Sequence, residues 1–146
     1  MIDKKNKIKN EAELLAQAER IKKANPAYIK AKKPYLNFVF SDGDIKIAPL
    51  QDVKDFLLEG QAMHHCVFNN EYYKEKDSLI LSASKDNRRL ETIEISISQL
   101  RVMQIRGACN QDSEYHSSIV KLTKSIIPAI EKISKEQKKK RIKEKV

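Results

Sequence analysis

The chain has no tryptophan, three glycines, four prolines and two cysteines in 146 residues, and each shortage closes off a class of protein. Glycine is scarce and no glycine- or serine-rich run occurs, so no flexible linker separates one unit from another. With 40% apolar residues, a chain of this length fills one modest core, which excludes a multidomain enzyme. Aromatic residues, at 6%, supply no row of stacking platforms for single-stranded nucleic acid. Two cysteines, Cys66 and Cys109, do not make a disulfide scaffold. No run reaches the length of about eighteen apolar residues that a membrane span needs. The first apolar stretch lies among Lys4, Lys5, Lys7 and Lys9 and lacks the hydrophobic region of a signal peptide, so a cytoplasmic protein with reduced thiols is expected.

Lysine, by contrast, is abundant, and the formal charge of +9 is unevenly spread. Residues 1–35 hold ten Lys/Arg against four Asp/Glu, residues 36–112 nine against twelve, and residues 113–146 ten against four. The basicity is therefore confined to two flanks around a mildly acidic middle. We expect a basic N-terminal helical region over 1–35, a folded α+β unit over 36–134 and a basic tail over 135–146. Lysine-rich flanks screen a phosphate backbone by releasing its counterions whatever the base sequence, and they also serve simply as solvated faces that keep a small basic protein soluble. Arg20 and Arg141 are the only arginines in the flanks, so bidentate forks to bases or phosphates are not indicated there.

Leu14, Leu15, Ala18 and Ile21 recur at helical spacing, with Asn10 as N-cap and Glu13 three residues on. This pattern predicts a helix over 10–24 that Asn25-Pro26 ends. The runs 36–40 and 44–48, joined by Ser41-Asp42-Gly43, predict a hairpin. Val53, Phe56 and Leu57 share one face of a short helix over 51–59, for which Gly60 is the natural C-cap. A further helical turn is expected within 70–76. Three β-prone runs, 78–84, 90–98 and 101–106, form an antiparallel meander. From Ser113 the apolar stripe Ile119, Leu122, Ile126, Ile130 and Ile133 predicts a long C-terminal helix, kinked at Pro128 and fraying beyond Ser134. The fold class is α+β: a small, mostly antiparallel sheet, made of the N-terminal hairpin and the three-stranded meander, with helices on one face.

Two groups of polar residues stand out. Period-2 alternation sets Thr92, Glu94, Ser96 and Ser98 opposite Ile93, Ile95 and Ile97. On the neighbouring strand it sets Val102, Gln104 and Arg106 opposite Met103 and Ile105. Glu94, Gln104 and Arg106 then share a face, where Glu94 and Arg106 can form a charge-assisted pair, and Gly107 and Asn110 continue the polar string. The other group is His64-His65-Cys66. A thiolate is the reactive form of cysteine and an imidazolium favours it, so this is the minimum equipment of a thiol nucleophile. The alternative is a buried structural cysteine flanked by an exposed and a hydrogen-bonded histidine. Cys66, Cys109, one of His64/His65 and His116 would suffice for zinc, but their spacing matches no zinc-finger pattern, and neither metal nor cofactor is expected.

Glu59-Gly60, Met63-His64-His65-Cys66-Val67, a tyrosine at 72 or 73, Thr92-Ile93-Glu94-Ile95, and Gln104-Ile105-Arg106-Gly107 with Asn110 together resemble the PcfJ-like family, over roughly residues 50–130. The resemblance implies shared polar positions at His65, Cys66, Thr92, Glu94, Gln104, Arg106, Gly107 and Asn110. The chain departs from the family in having Phe68-Asn69-Asn70 where members commonly place a glycine soon after His-Cys-Val. The resemblance also implies a setting on conjugative plasmids, integrative elements or phages, without a settled activity.

Two functions compete on these residues. One is an accessory protein of a mobile element that associates non-specifically with DNA or with the nucleoprotein machinery handling it. No helix-turn-helix or zinc finger supports sequence-specific readout. The other is a small thiol-dependent hydrolase or acyl-transfer enzyme. In it Cys66 is the nucleophile, His65 or His64 the base and Glu94 the orienting carboxylate, with Gln104 and Asn110 at the oxyanion and Arg106 on an anionic substrate group. No membrane partner is expected, because the lysine-rich faces lack the tryptophan or phenylalanine that deepens interfacial binding.

Overall fold

The computed structural model describes residues 4–144, with side chains from Asn10 onward; residues 1–3 of the basic N-terminal region and 145–146 of the basic tail lie outside the described residues. Helix α1 spans Lys4–Lys32, strand β1 Phe40–Asp42, β2 Ile45–Pro49, helix α2 Val53–Met63, β3 Ser78–Lys85, β4 Arg88–Ser96, β5 Arg101–Gly107 and helix α3 His116–Glu144. Short 3₁₀ turns occupy Lys33–Tyr35, Tyr72–Lys74 and Ala108–Asn110. The strands form one sheet in the order β1-β2-β3-β4-β5, antiparallel throughout. Gly43, at φ +60°, supplies the positive dihedral of the turn between β1 and β2. No helix among the described residues is long and apolar enough to cross a membrane.

Helices cover both faces of the sheet, not one. On the first face Ile45, Ile47, Leu79, Leu81, Ala83, Ile93 and Ile95 pack against Ile119, Ile126 and Ile130 of α3. On the second, Ile80 joins Tyr28 of α1, Val53 and Phe56 of α2, and Val67, Phe68 and Tyr73 of the segment after it. Alternation along β3 explains how one strand serves two cores: Leu79 and Leu81 turn one way and Ile80 the other. Buried Glu91 lies on the α3 face, where it accepts hydrogen bonds from the Ser113 amide and from His116 Nδ1, each at 2.8 Å, and so anchors the start of α3.

Several helix boundaries differ from expectation, each for a local reason. α1 runs through Asn25-Pro26 to Lys32 and begins before Asn10, which is therefore no cap. The bond that Pro26 cannot donate falls at exposed Lys22, where water can serve the carbonyl, and the residues beyond are held by tertiary contacts. Tyr28 is buried and its hydroxyl donates to the Leu50 carbonyl, while buried Lys32 donates to the carbonyls of Glu75 and Lys76 at 3.0 and 2.8 Å. Leu14 and Leu15, expected on a buried stripe, are 63% and 70% exposed. α2 starts one residue after its N-cap Asp52, whose side chain accepts from the Asp55 amide, and continues past Gly60 to a left-handed cap at His64. Gly60 serves close approach instead: a Cβ there would lie 3.0 Å from the His65 carbonyl oxygen. Pro128 lies inside α3, which continues to Glu144 where fraying beyond Ser134 was expected.

A bulge between Glu94 and Ile95 changes the facing of β5. Glu94 pairs with Gln104 but Ile95 with Val102, so Val102 joins the α3 core and Met103, the extra residue, is 47% exposed, the reverse of the simple alternation. Past the strand, buried Gly107 leaves no space: a Cβ would sit 2.2 Å from the Gln111 carbonyl oxygen. Gly107→Ala is expected to destabilise the fold by about 2 kcal/mol or more, because the opposing atom is backbone and cannot step aside; a urea melt with an unchanged midpoint would show that the 108–113 turn adapts freely.

Candidate functional site

A cleft of about 270 Å³ opens on the α2 face of the sheet, at its β4-β5 side. Its floor is Thr92, Glu94, Gln104 and Arg106, four side chains that alternation and register put together: Thr92 pairs with Arg106 and Glu94 with Gln104. Its wall is the chain leaving α2, with His64, His65, Cys66, Val67, Asn70 and Tyr72, and Asn110 closes one end. All six residues singled out from the sequence, His65, Cys66, Glu94, Gln104, Arg106 and Asn110, line this one space.

The wall is held from behind. Arg20 of α1 donates from Nε to the Tyr73 hydroxyl at 2.9 Å and from Nη2 to the carbonyls of Phe68 and Asn69, and it stacks 4.6 Å over the Phe68 ring. An arginine that charge counting assigned to a solvated flank is thus the clamp on the segment carrying Asn70 and Tyr72. Phe68, which stands where a glycine is common in the family pattern, is buried and fills the space beneath that clamp.

Beneath the cleft lies a connected polar network. Glu59, on α2 and fully buried, accepts from the Thr92 hydroxyl at 2.5 Å, from the Ser82 hydroxyl at 2.8 Å and from Arg89 Nη1 at 2.6 Å. Arg89 also reaches Asp55 at 2.7 Å, one turn earlier on the same helix. Thr92 Oγ1 in turn lies 2.8 Å from His65 Nε2. A threonine hydroxyl has a single proton; donated to the carboxylate, it leaves the oxygen to accept from the imidazole, so Nε2 carries the hydrogen. Burial holds the His65 pKa below the ordinary histidine value and nearby Arg106 lowers it further; the Glu59 carboxylate and the ring's own backbone carbonyl pull the other way and do not offset burial.

Two expected contacts are not made. Glu94 does not pair with Arg106; its two oxygens accept from Ser78 Oγ at 2.6 Å and Gln104 Nε2 at 2.9 Å. The register places Arg106 beside Thr92 instead, and the guanidinium is exposed, with no ion pair among the described residues. Cys66 is exposed, which overturns the alternative of a buried structural cysteine, and no hydrogen bond joins its sulfur to either histidine: His65 faces Thr92, and His64 is the exposed left-handed cap of α2. No group of three or more His, Cys, Asp or Glu placed to hold a metal occurs among the described residues, so Cys66, Cys109, His64 or His65, and His116 are not brought together as a zinc site.

Sequence reasoning missed Glu59 as a site residue, along with Ser82, Arg89 and Asp55. Two signals were available: Glu59 stands in the Glu59-Gly60 step that opens the family resemblance, and it is a carboxylate just after the apolar positions Phe56 and Leu57 of an amphipathic helix. Removing that carboxylate strips Arg89, Ser82 and Thr92 of a shared acceptor. Glu59→Ala is expected to lower stability by roughly 3 kcal/mol, moderated because Arg89 keeps Asp55. Chemical denaturation checks this, and a loss below about 1 kcal/mol would mean that solvent replaces the carboxylate.

Searches of curated proteins and of solved structures return no match to the chain. A family model described as PcfJ-like protein matches residues 5–120. That span takes in the cleft, the network beneath it and most of the clamping helix α1, beyond the motifs from which the resemblance was first read. The chain belongs to the PcfJ-like protein family.

Proposed function

We propose that this chain is an accessory protein of a mobile genetic element, associated with plasmids and working in the cytoplasm, that binds DNA non-specifically through the lysine-rich faces of α1 and α3. Membership of the PcfJ-like family supports the genetic setting. The observation that carries the DNA reading is the hydrogen bond of 2.8 Å between the Tyr35 hydroxyl and Ser134 Oγ. It ties the turn that ends α1 to the point on α3 where the lysine-rich extension begins. Two basic segments a hundred residues apart in sequence thereby adjoin, with Lys30, Lys33 and Lys132 exposed around the joint. Combined charge of one sign on one region favours phosphate contacts over mere solubility.

Binding of unrelated duplexes should weaken linearly in log salt concentration. Replacing Lys30, Lys33 and Lys132 together by glutamine should cut affinity about tenfold or more at low salt and flatten that slope by up to about 3. Affinity that ignores salt, or a triple variant that binds like the wild type, would overturn the reading.

A second reading, the thiol-dependent hydrolase or acyl-transfer enzyme, is supported by the exposure of Cys66 on a cleft that also holds Gln104, Arg106 and Asn110. The engagement of His65 with Thr92 places it second. Alkylation of Cys66 that persists below about pH 7 would mark a thiolate and promote it; labelling that stops there leaves it behind.

A further inference from the structure

The cleft contains a histidine that the DNA reading does not use and that, bonded to Thr92, makes no hydrogen bond to the Cys66 sulfur. His65 sits at the end of a chain of hydrogen bonds that runs through Thr92 to a carboxylate with no exposure, and that carboxylate is itself fixed by Arg89 and Ser82. A histidine that served only to fill space would need no such support. Its proton sits on Nε2, because Thr92 spends its own on Glu59, and the nitrogen left with a lone pair is Nδ1.

The other groups around the space complete a polarity. Glu94 has both oxygens occupied, by Ser78 and Gln104. The Arg106 guanidinium has no carboxylate partner among the described residues, and Gln104, Asn110 and Asn70 add amides. Beside the His64 ring, the Cys66 thiol and the Tyr72 hydroxyl, the cleft therefore offers one cation, the amides of Asn70 and Asn110 and the His65 ring nitrogen that Thr92 does not engage. A ligand that satisfies them carries negative charge for Arg106 and a hydroxyl or N–H proton for His65. The cleft is near the lower end of ordinary ligand-site volumes, so that ligand is small.

We infer that this cleft is a binding site for a small anion that also bears a hydrogen-bond donor, with Arg106 receiving the charge and His65 Nδ1 the proton-bearing atom, while Thr92 and Glu59 act as positioning residues that keep the ring in its Nε2–H form. The monoanion of phosphate, which joins a negative oxygen to a P–OH group, has both features and serves as the probe. The anion at Arg106 is common to this inference and to the thiol-enzyme reading, but the inference requires neither DNA at the basic helices nor a reactive thiol.

Long-range ¹H–¹⁵N spectra of the side-chain imidazoles, with His65 assigned by its loss in His65→Gln, read the tautomer directly. At pH 7 the expected result is a protonated Nε2 and an unprotonated Nδ1, with titration displaced below the ordinary midpoint of about 6.5. Thr92→Val, which removes the hydroxyl and keeps the shape, should abolish the preference, and Thr92→Ser should restore it, an outcome that a purely packing role would not give. Inorganic phosphate added near pH 6 should shift His65 Nδ1. Arg106→Gln, at an exposed position, should weaken that response about tenfold or more while leaving the tautomer unchanged. A wild-type ring protonated on Nδ1, or a phosphate response equal in Arg106→Gln, would overturn the inference.

Discussion

The Glu59 carboxylate is the constraint from which the arrangement of the second face follows. A buried, ionised carboxylate is tolerated only when its lone pairs are taken by donors. Here those donors come from two strands: Ser82 on β3, and Thr92 and Arg89 on β4. Each bond fixes the distance of α2 from the sheet and its rotation about its own axis. An apolar contact fixes the first well and the second poorly. Once α2 is set, Gly60 lets the returning chain pass against the helix, so that the chain beyond its left-handed cap delivers His65 to Thr92. The cleft is the space that remains between this return and β4-β5.

The two faces of the sheet use different physics for the same task. The α3 face is a conventional apolar layer in which isoleucines from β2 and β4 and leucines from β3 meet isoleucines of the helix, with Glu91 and His116 pinning only its start. Such burial contributes about 25 cal/mol per Å² and has little directionality. On the α2 face the aromatic group of Tyr28, Phe56, Phe68 and Tyr73 supplies the burial, while Glu59, Arg89 and Arg20 supply the register. A face that must hold open a polar space requires the directional interactions, because a purely apolar layer would close over it.

What could be read from the sequence followed these two kinds of physics. Runs of β-prone residues located all three meander strands, and period-2 alternation located the polar row Thr92-Glu94 opposite Gln104-Arg106. The apolar stripe of Ile119, Ile126 and Ile130 located α3. These signals are local and repeat along the chain. Alternation failed at Met103, because a bulge adds a residue without altering composition. Proline and glycine misled at positions 26 and 60: helix breaking is a tendency of the isolated segment, and it was outweighed by Tyr28 and Lys32 at one site and by the close passage of residue 65 at the other. Glu59, Arg89 and Arg20 were illegible for a stronger reason. Nothing in a carboxylate or guanidinium on an amphipathic helix or an edge of a strand says that its partner is thirty or fifty residues away, and charge counting assigns such groups to solvent by default.

Separating the charges in this way also decides how the molecule divides its surface. Exposed Lys30, Lys33 and Lys132 lie near in sequence to the point where Tyr35 meets Ser134, while the cleft lies at the β4-β5 side of the sheet on the α2 face. Over a separation greater than a Debye length, about 8 Å at physiological salt, solvated lysines contribute little to the potential at the cleft. The field that a cleft ligand meets is set by groups at its edge: exposed Arg106, with Glu94 already bonded to Ser78 and Gln104, and Glu59 already bonded to Arg89. Surface charge and cleft charge are thus governed separately, because water screens the solvated lysines while the carboxylates at the cleft are held by specific donors.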